Sequence, residues 1–295
     1  MVITMNDFIR ICFISITVML FCFCSPLKKA TSFSKDDYIH NGILEKHIYK
    51  SSVAGPRYKR MFVYLPPSYY SSIKSYPVIY FLHGANGNER SWIDNGDILF
   101  IIDSLRAVNA IGECICVFPN MNNYHNDYES ANSYIHGSID AYFSLNGMAE
   151  HSFVHDIMVY VDKKFRTRIN KEYRAICGLS IGGLQSLYIS ANYPHLFGHI
   201  GLFSPLIYPP LTLGHYTDVY KLIEDKLNIQ FSFHPYRYMI MMGEKDIYLP
   251  SAYKFSEYLY KKGYQHQFQL THGGHTWSNW KSYSISFMNS MWIDD

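Results

Sequence analysis

The sequence predicts an α/β fold, a mostly parallel central sheet with helices on both faces. Three observations predict it. Short apolar runs of strand length alternate with longer segments of helical composition from Arg60 to Met291. No composition break, internal repeat or Pro/Gly/Ser-rich linker divides residues 39–295. A strand turning sharply into a helix is written at mid-chain, in Cys177-Gly178-Leu179-Ser180-Ile181-Gly182-Gly183.

Before the alternation begins, Ile11 to Phe23 is almost wholly apolar and follows a segment carrying Asp7 and Arg10. The run falls short of the roughly 20 residues of a membrane span and suits the apolar stretch of an export signal. Cys22 and Cys24 are small residues at a spacing a signal peptidase uses. Residues 1–24 are therefore read as a signal peptide, 25–38 as a polar tether and 39–295 as a single domain. A lipid on Cys24 is the first alternative to free release, and an uncleaved membrane anchor the last. The expected location is exported: periplasmic, secreted or held on the outer membrane as a lipoprotein.

The elements then follow in order. Arg60 to Leu65 and Val78 to His83 are apolar runs closed by Pro66 and Gly84, which marks them as strands. Ile98 to Val108 has helical periodicity, Glu113 to Phe118 is a strand ending at Pro119, and Phe153 to Phe165 is an amphipathic helix. Tyr173 to Cys177 is a strand and Leu184 to Asn192 a helix. Next come a strand at Ile200 to Ser204, a helix at Tyr216 to Leu227 and a strand at Tyr238 to Met242 ending at Gly243. A helix at Ala252 to Lys262, a strand at Gln265 to Leu270 and a helix at Trp277 to Met291 complete the series. Sites in such sheets form beyond the carboxyl ends of the strands.

A net charge of +2 with scattered basic residues leaves no electrostatic footprint for nucleic acid. The 27 Tyr and 19 Phe are read mainly as core, with a minority available to line a site for sugars or aromatic acids. Removing the signal leaves Cys114, Cys116 and Cys177. The first two lie two apart on one strand face, a poor geometry for a mutual bridge, so buried free thiols are expected. No Cys/His set has zinc spacing, and neither metal nor cofactor is expected.

The glycines around Ser180 place it at the apex of the turn, where a hydroxyl is exposed to attack substrate. A serine at its free pKa needs a base, and the base an orienting carboxylate. His275, in His272-Gly273-Gly274-His275-Thr276-Trp277 between the last strand and last helix, is the preferred base, with His272 its nearest competitor. Asp246, in Gly243-Glu244-Lys245-Asp246 after a strand, is the preferred acid over Glu244 because the turn needs length to reach the histidine loop. The charge developing on a carbonyl oxygen needs two backbone N–H donors. Ile181, directly after the serine, supplies one; Ala85, or failing it Gly84, supplies the other from the loop after Val78 to His83.

Phe81-Leu82-His83-Gly84 with Trp92, the Gly178-to-Gly183 elbow, and Gly273-Gly274-His275-Thr276-Trp277 with Trp280 together resemble the esterase D-like branch of the α/β-hydrolases. That branch is the Putative esterase family, with feruloyl and acetylxylan esterases of carbohydrate esterase family one, S-formylglutathione hydrolases and mycolyltransferases. The resemblance runs from Lys59 to Trp292. It implies an α/β-hydrolase fold, Ser180 as nucleophile, His275 as base, Asp246 as acid, and Ala85 with Ile181 as oxyanion donors. Asn120 to Gly147 departs from the lean family pattern as a long polar and aromatic stretch, expected to shape the acyl or sugar pocket. Trp92, Tyr128, Tyr134 and Trp277 are the candidate substrate-contacting aromatics.

The expected function is an exported serine carboxylic-ester hydrolase releasing feruloyl or acetyl groups from xylan through an acyl-enzyme on Ser180. Its partner is an ester on a polysaccharide or oligosaccharide, with membrane contact only through a lipid anchor and the oligomeric state left open. Acyl transfer, S-formylglutathione hydrolysis and a non-catalytic carbohydrate-binding module are the alternatives.

Overall fold

Each apolar run that ends in proline or glycine becomes a strand, because burial on both faces demands continuous apolar residues. The computed structural model describes residues 41–53, 58–122, 147–207 and 217–293. Its strands are β1 (Ile43–Lys50), β2 (Tyr58–Leu65), β3 (Val78–Leu82), β4 (Ile115–Pro119), β5 (Arg174–Leu179), β6 (His199–Phe203), β7 (Arg237–Gly243) and β8 (Gln267–Thr271). They form one eight-stranded sheet in the order β1-β2-β4-β3-β5-β6-β7-β8. The β1–β2 and β2–β4 pairs are antiparallel, and every pair from β4 to β8 is parallel. The carboxyl ends of β3, β5, β7 and β8 therefore open on the same edge, which is where the candidate residues lie.

The helices are α1 (Ser91–Asp94), α2 (Ile98–Ala107), α3 (Met148–Ser152), α4 (Val159–Lys164), α5 (Ile181–Asn192), α6 (Ile223–Ser232), α7 (Leu249–Lys261) and α8 (Trp277–Met288). Alternation along β3 divides the core between two layers. Val78, Tyr80 and Leu82 pack with Phe153, Leu184 and Phe255 on one face. Ile79 and Phe81 pack with Ile102, Tyr283 and Phe287 on the other. The described residues all belong to the unit His40–Asp295, and among them no helix is long and apolar enough to cross a membrane.

Several expected elements shift for identifiable reasons. β1 was not expected from the sequence: as an edge strand, it is largely exposed and mixes charge with apolar residues. The expected helix Tyr216 to Leu227 is instead a 3-10 turn, Thr217–Tyr220, followed by α6, with Leu222 in the left-handed region (φ 52°) between them. The helix expected over Phe153 to Phe165 starts earlier, at Met148, and carries a π-helical stretch, Phe153–Met158, between α3 and α4. α8 stops at Met288 rather than Met291, where Arg237 binds the carbonyls of Phe287 and Asn289. Cys114, Cys116 and Cys177 are buried free thiols, with the Cys114 and Cys116 sulfurs 3.8 Å apart, well beyond a bond.

His199, at the start of β6, couples the fold to pH. Its ring stacks on Tyr236, Nε2 lies 3.1 Å from the Glu172 carbonyl and Nδ1 is buried without a partner. Burial, opposed by that hydrogen bond and joined by repulsion from Arg237, lowers its pKa to about 4. The folded protein thus refuses a proton that the unfolded chain accepts below about pH 6.5. Its contribution is fully present above that pH and is lost as pH falls toward about 4. Urea midpoints measured from pH 6.5 to 4.5 are expected to fall less steeply in His199→Phe than in the wild type. The titration is worth on the order of 3 kcal/mol over the whole window. Equal slopes would remove His199 from the acid sensitivity.

Candidate active site

β5 runs fully buried into Ser180, and α5 leaves from it with nearly every residue buried. Ser180 itself has φ 55° and ψ −117°, a conformation that L-residues rarely adopt and that costs on the order of 1–3 kcal/mol. The surroundings hold it there. The Ser180 N–H donates to the Phe203 carbonyl at 2.9 Å, and the Ser180 carbonyl accepts from Leu184 at 3.1 Å and Leu206 at 3.2 Å. The flanking glycines are required by close approach: a Cβ on Gly178 would lie 2.4 Å from the Gly182 backbone, and one on Gly182 would lie 2.5 Å from the carbonyl oxygens of Leu82 and His83. Their absence lets the first turn of α5 settle against β3 and β5.

Ser180 lines a cleft of about 350 Å³ together with Ala85, Asn95, Tyr248, His275 and Trp277. His275 comes from the loop between β8 and α8, and its Nδ1 donates to Asp246 Oδ2 at 3.0 Å. The carboxylate is fully buried and the imidazole a quarter exposed. With Nδ1 committed to Asp246, the lone pair of Nε2 remains to take a proton. The imidazole is held edge-on between Tyr248 and Trp280, at ring distances of 5.2 and 5.0 Å. Burial pushes the Asp246 carboxyl up, but hydrogen bonding to His275 and the Tyr248 N–H, with Ser204 beside it, outweighs burial and holds it below its ordinary value. The Ser204 hydroxyl is buried against the carboxylate short of a fully formed hydrogen bond. Asp246 thus remains ionised across the range in which a histidine serves as base.

The competitors His272 and Glu244 pair with each other instead, at 2.6 Å on the surface, with His272 84% exposed. Of the two, His275 is the one that meets a buried carboxylate and shares the cleft with Ser180.

The loop after β3 carries Ala85 into the cleft wall, and Ile181 opens α5, whose first amides have no acceptor within the helix. Sequence reasoning did not anticipate what fixes this loop. His83, buried, donates from Nδ1 to the Gly84 carbonyl at 2.8 Å and accepts the Met121 N–H at Nε2, 2.9 Å. Burial lowers its pKa, consistent with a neutral ring that donates on one side and accepts on the other. Glu89, also buried, receives Arg60 and Asn120 at 2.8 Å each, and Asn122 donates to the Gly87 carbonyl at 2.6 Å. The signal in the sequence was a histidine directly before the glycine of the loop, which spacing alone does not distinguish from a surface turn.

Trp277 lines the cleft and is half-buried. Trp92 is corrected: it is 1% exposed, its indole N–H donates to the Leu82 carbonyl at 3.1 Å and its ring props Trp277 edge-on. It supports the wall rather than touching a substrate. Tyr128 and Tyr134, with most of the stretch Asn120 to Gly147, lie outside the described residues. A larger concavity of about 510 Å³ sits at the far end of α5 from Ser180, near Tyr193 and Lys221, and offers no paired nucleophile and base. Among the described residues no cluster of His, Cys, Asp and Glu is composed to hold a metal ion.

Comparison with known proteins fits this geometry. The family described as Putative esterase matches residues 52–283. An endo-1,4-beta-xylanase/feruloyl esterase of Xylanibacter ruminicola is 30% identical over 189 residues, which are 63% of this chain and 24% of the relative. The chain thus spans about a quarter of that relative's length. A CE1 ferulic acid esterase of Anaeromyces mucronatus superposes with a TM-score of 0.70 at 23% identity, covering 90% of this chain and 95% of that one. An S-formylglutathione hydrolase of Staphylococcus aureus superposes with a TM-score of 0.61 at 17% identity, covering 84% of this chain and 97% of that one. Together with the strand order, these likenesses make the fold that of the α/β-hydrolases.

The elbow's packing gives a direct test. Gly182→Ala forces a Cβ onto two backbone oxygens and is expected to cost roughly 3 kcal/mol or more. Gly263→Ala, at φ +74° with nothing nearby, is expected to cost only about 1 kcal/mol. Urea denaturation of both checks the contrast, and equal losses would show that close approach at Gly182 is not what the elbow needs.

Proposed function

We propose that this chain, which belongs to the Putative esterase family of carboxylic ester hydrolases, is a serine hydrolase of the feruloyl esterase type. The observation that carries the reading is the meeting of Ser180 and His275 in one cleft, with His275 already bound to the buried Asp246 behind it. In the proposed reaction His275 Nε2 takes the Ser180 proton as Oγ attacks the ester carbonyl. The amides of Ala85 and Ile181 receive the oxyanion, a stabilisation available only as the charge develops. The tetrahedral intermediate collapses as His275 returns the proton to the departing alcohol, leaving an acyl group on Ser180. Water, deprotonated by the same imidazole, then attacks the acyl carbon; the acid leaves and Ser180 regains its proton. Asp246 stabilises the imidazolium in both steps.

The substrate proposed is a feruloyl or acetyl ester on plant polysaccharide. Support comes from the relative named for xylanase and feruloyl esterase activities, and from the aromatic walls that Tyr248 and Trp277 give the cleft. Export is proposed on the apolar run Ile11 to Phe23, with release or a lipid on Cys24 as its two outcomes. The likeness to an S-formylglutathione hydrolase supports a second reading, hydrolysis of a small thioester by the same machinery.

Purified protein is expected to release ferulate from methyl ferulate and acetate from p-nitrophenyl acetate or acetylated xylan. Ser180→Ala is expected to fold normally and lose at least about 10³-fold in kcat. Turnover of S-formylglutathione alone would select the second reading. Undiminished turnover by Ser180→Ala would remove the serine from the mechanism.

A further inference from the structure

Asn279 lies in the first turn of α8, three residues beyond the N-cap Thr276, with its side chain buried. Its Oδ1 accepts the Gly274 N–H at 3.2 Å and the Thr276 hydroxyl at 2.9 Å. Its Nδ2 reaches the His272 carbonyl at 2.8 Å, Thr271 Oγ1 at 3.0 Å and the Tyr283 hydroxyl at 3.1 Å. An amide side chain offers two protons and two lone pairs, so this one is fully engaged. Gly273 packs directly on it: at φ +99°, a Cβ there would lie 2.5 Å from Asn279 Oδ1. One side chain therefore grips the loop around His275 from Thr271 to Thr276 through partners other than the imidazole.

The same loop also braces the separate loop after β7 that carries the acid. The Gly273 carbonyl accepts the Lys245 N–H at 2.8 Å, the residue directly before Asp246, and the Thr271 carbonyl accepts the Glu244 N–H at 2.9 Å. Two successive glycines would otherwise leave the base on one of the most permissive stretches a chain can have. A histidine that must meet Asp246 with one nitrogen and Ser180 with the other tolerates little displacement, since a misplacement of about 1 Å costs roughly 10²-fold in rate.

Resting on the serine-hydrolase reading above, we propose that Asn279 is a positioning residue that sets the backbone of the 272–276 loop so that His275 engages Asp246 and Ser180 together. It does not line the cleft, so it acts on turnover and not on substrate capture.

The test is steady-state hydrolysis of methyl ferulate by the full chain, its Asn279→Ala and Asn279→Asp variants, and Ser180→Ala. Folding is checked by circular dichroism, and assays are run well below each variant's Tm. Asn279→Ala is expected to lose about 30- to 100-fold in kcat with KM within about twofold. Asn279→Asp, which keeps the two acceptor contacts to Gly274 and Thr276, is expected to recover part of that loss, and it carries the test if the alanine variant does not fold. A folded variant whose kcat stays within about threefold of wild type, or whose loss falls on KM instead, overturns the proposal. Wild-type turnover that survives Ser180→Ala, or wild-type protein that turns over neither methyl ferulate nor S-formylglutathione, overturns the serine reading and this proposal with it; turnover of the thioester alone moves the same comparison of variants to that substrate. Serine-dependent turnover with an indifferent Asn279 overturns this proposal alone.

Discussion

The backbone at Ser180 is the constraint from which the site follows. A non-glycine residue at φ 55° and ψ −117° has to be held there by its neighbours, and here β6 and the first turn of α5 do the holding through the hydrogen bonds of its own peptide groups. The arrangement is available only because Gly178 and Gly182 let α5 approach β3 and β5 to distances that any Cβ would block. The strain is thus spread over a buried strand and a buried helix rather than stored in a loop, and the hydroxyl is presented from their junction.

Around that fixed point three loops arrive from strand ends, and each is set by a buried polar residue. His83 and Glu89 hold the Ala85 loop after β3. Asp246, after β7, accepts its own loop's Tyr248 N–H and the His275 ring. Asn279 ties the His275 loop after β8 to the first turn of α8. Loops carry function only when a scaffold positions them, and here hydrogen bonds inside the protein do that together with the rings packed around His275 and Trp277. Partly satisfied, such networks are costly, which explains why the groups here are paired nearly to capacity.

Much of this was legible in the sequence because it depends on local chemistry. A strand, a serine between paired glycines and a helix are written contiguously, and the strands of the parallel core are apolar runs with clear ends. The chain order of Ser180, Asp246 and His275 is the one expected of the resembled fold, and each residue follows an apolar strand. What was not legible depends on partners distant in sequence. Exposed β1 has no apolar alternation to announce it. The break at Leu222 turns on a single backbone conformation. Trp92 read as a substrate-contacting aromatic because its acceptor, the Leu82 carbonyl, is known only once β3 is placed. The roles of His83 and Asn279 likewise appear only when the residues they bind are brought together.

Covalent labelling decides whether Ser180 is a nucleophile activated by His275. The purified chain is treated with a fluorophosphonate, which phosphonylates activated serines, and the adduct is located by peptide mass mapping with His275→Ala beside it. One adduct per chain is expected, on Ser180, formed at least about 10²-fold more slowly when His275 is replaced. An adduct on another residue, or equally rapid labelling without His275, would contradict that assignment.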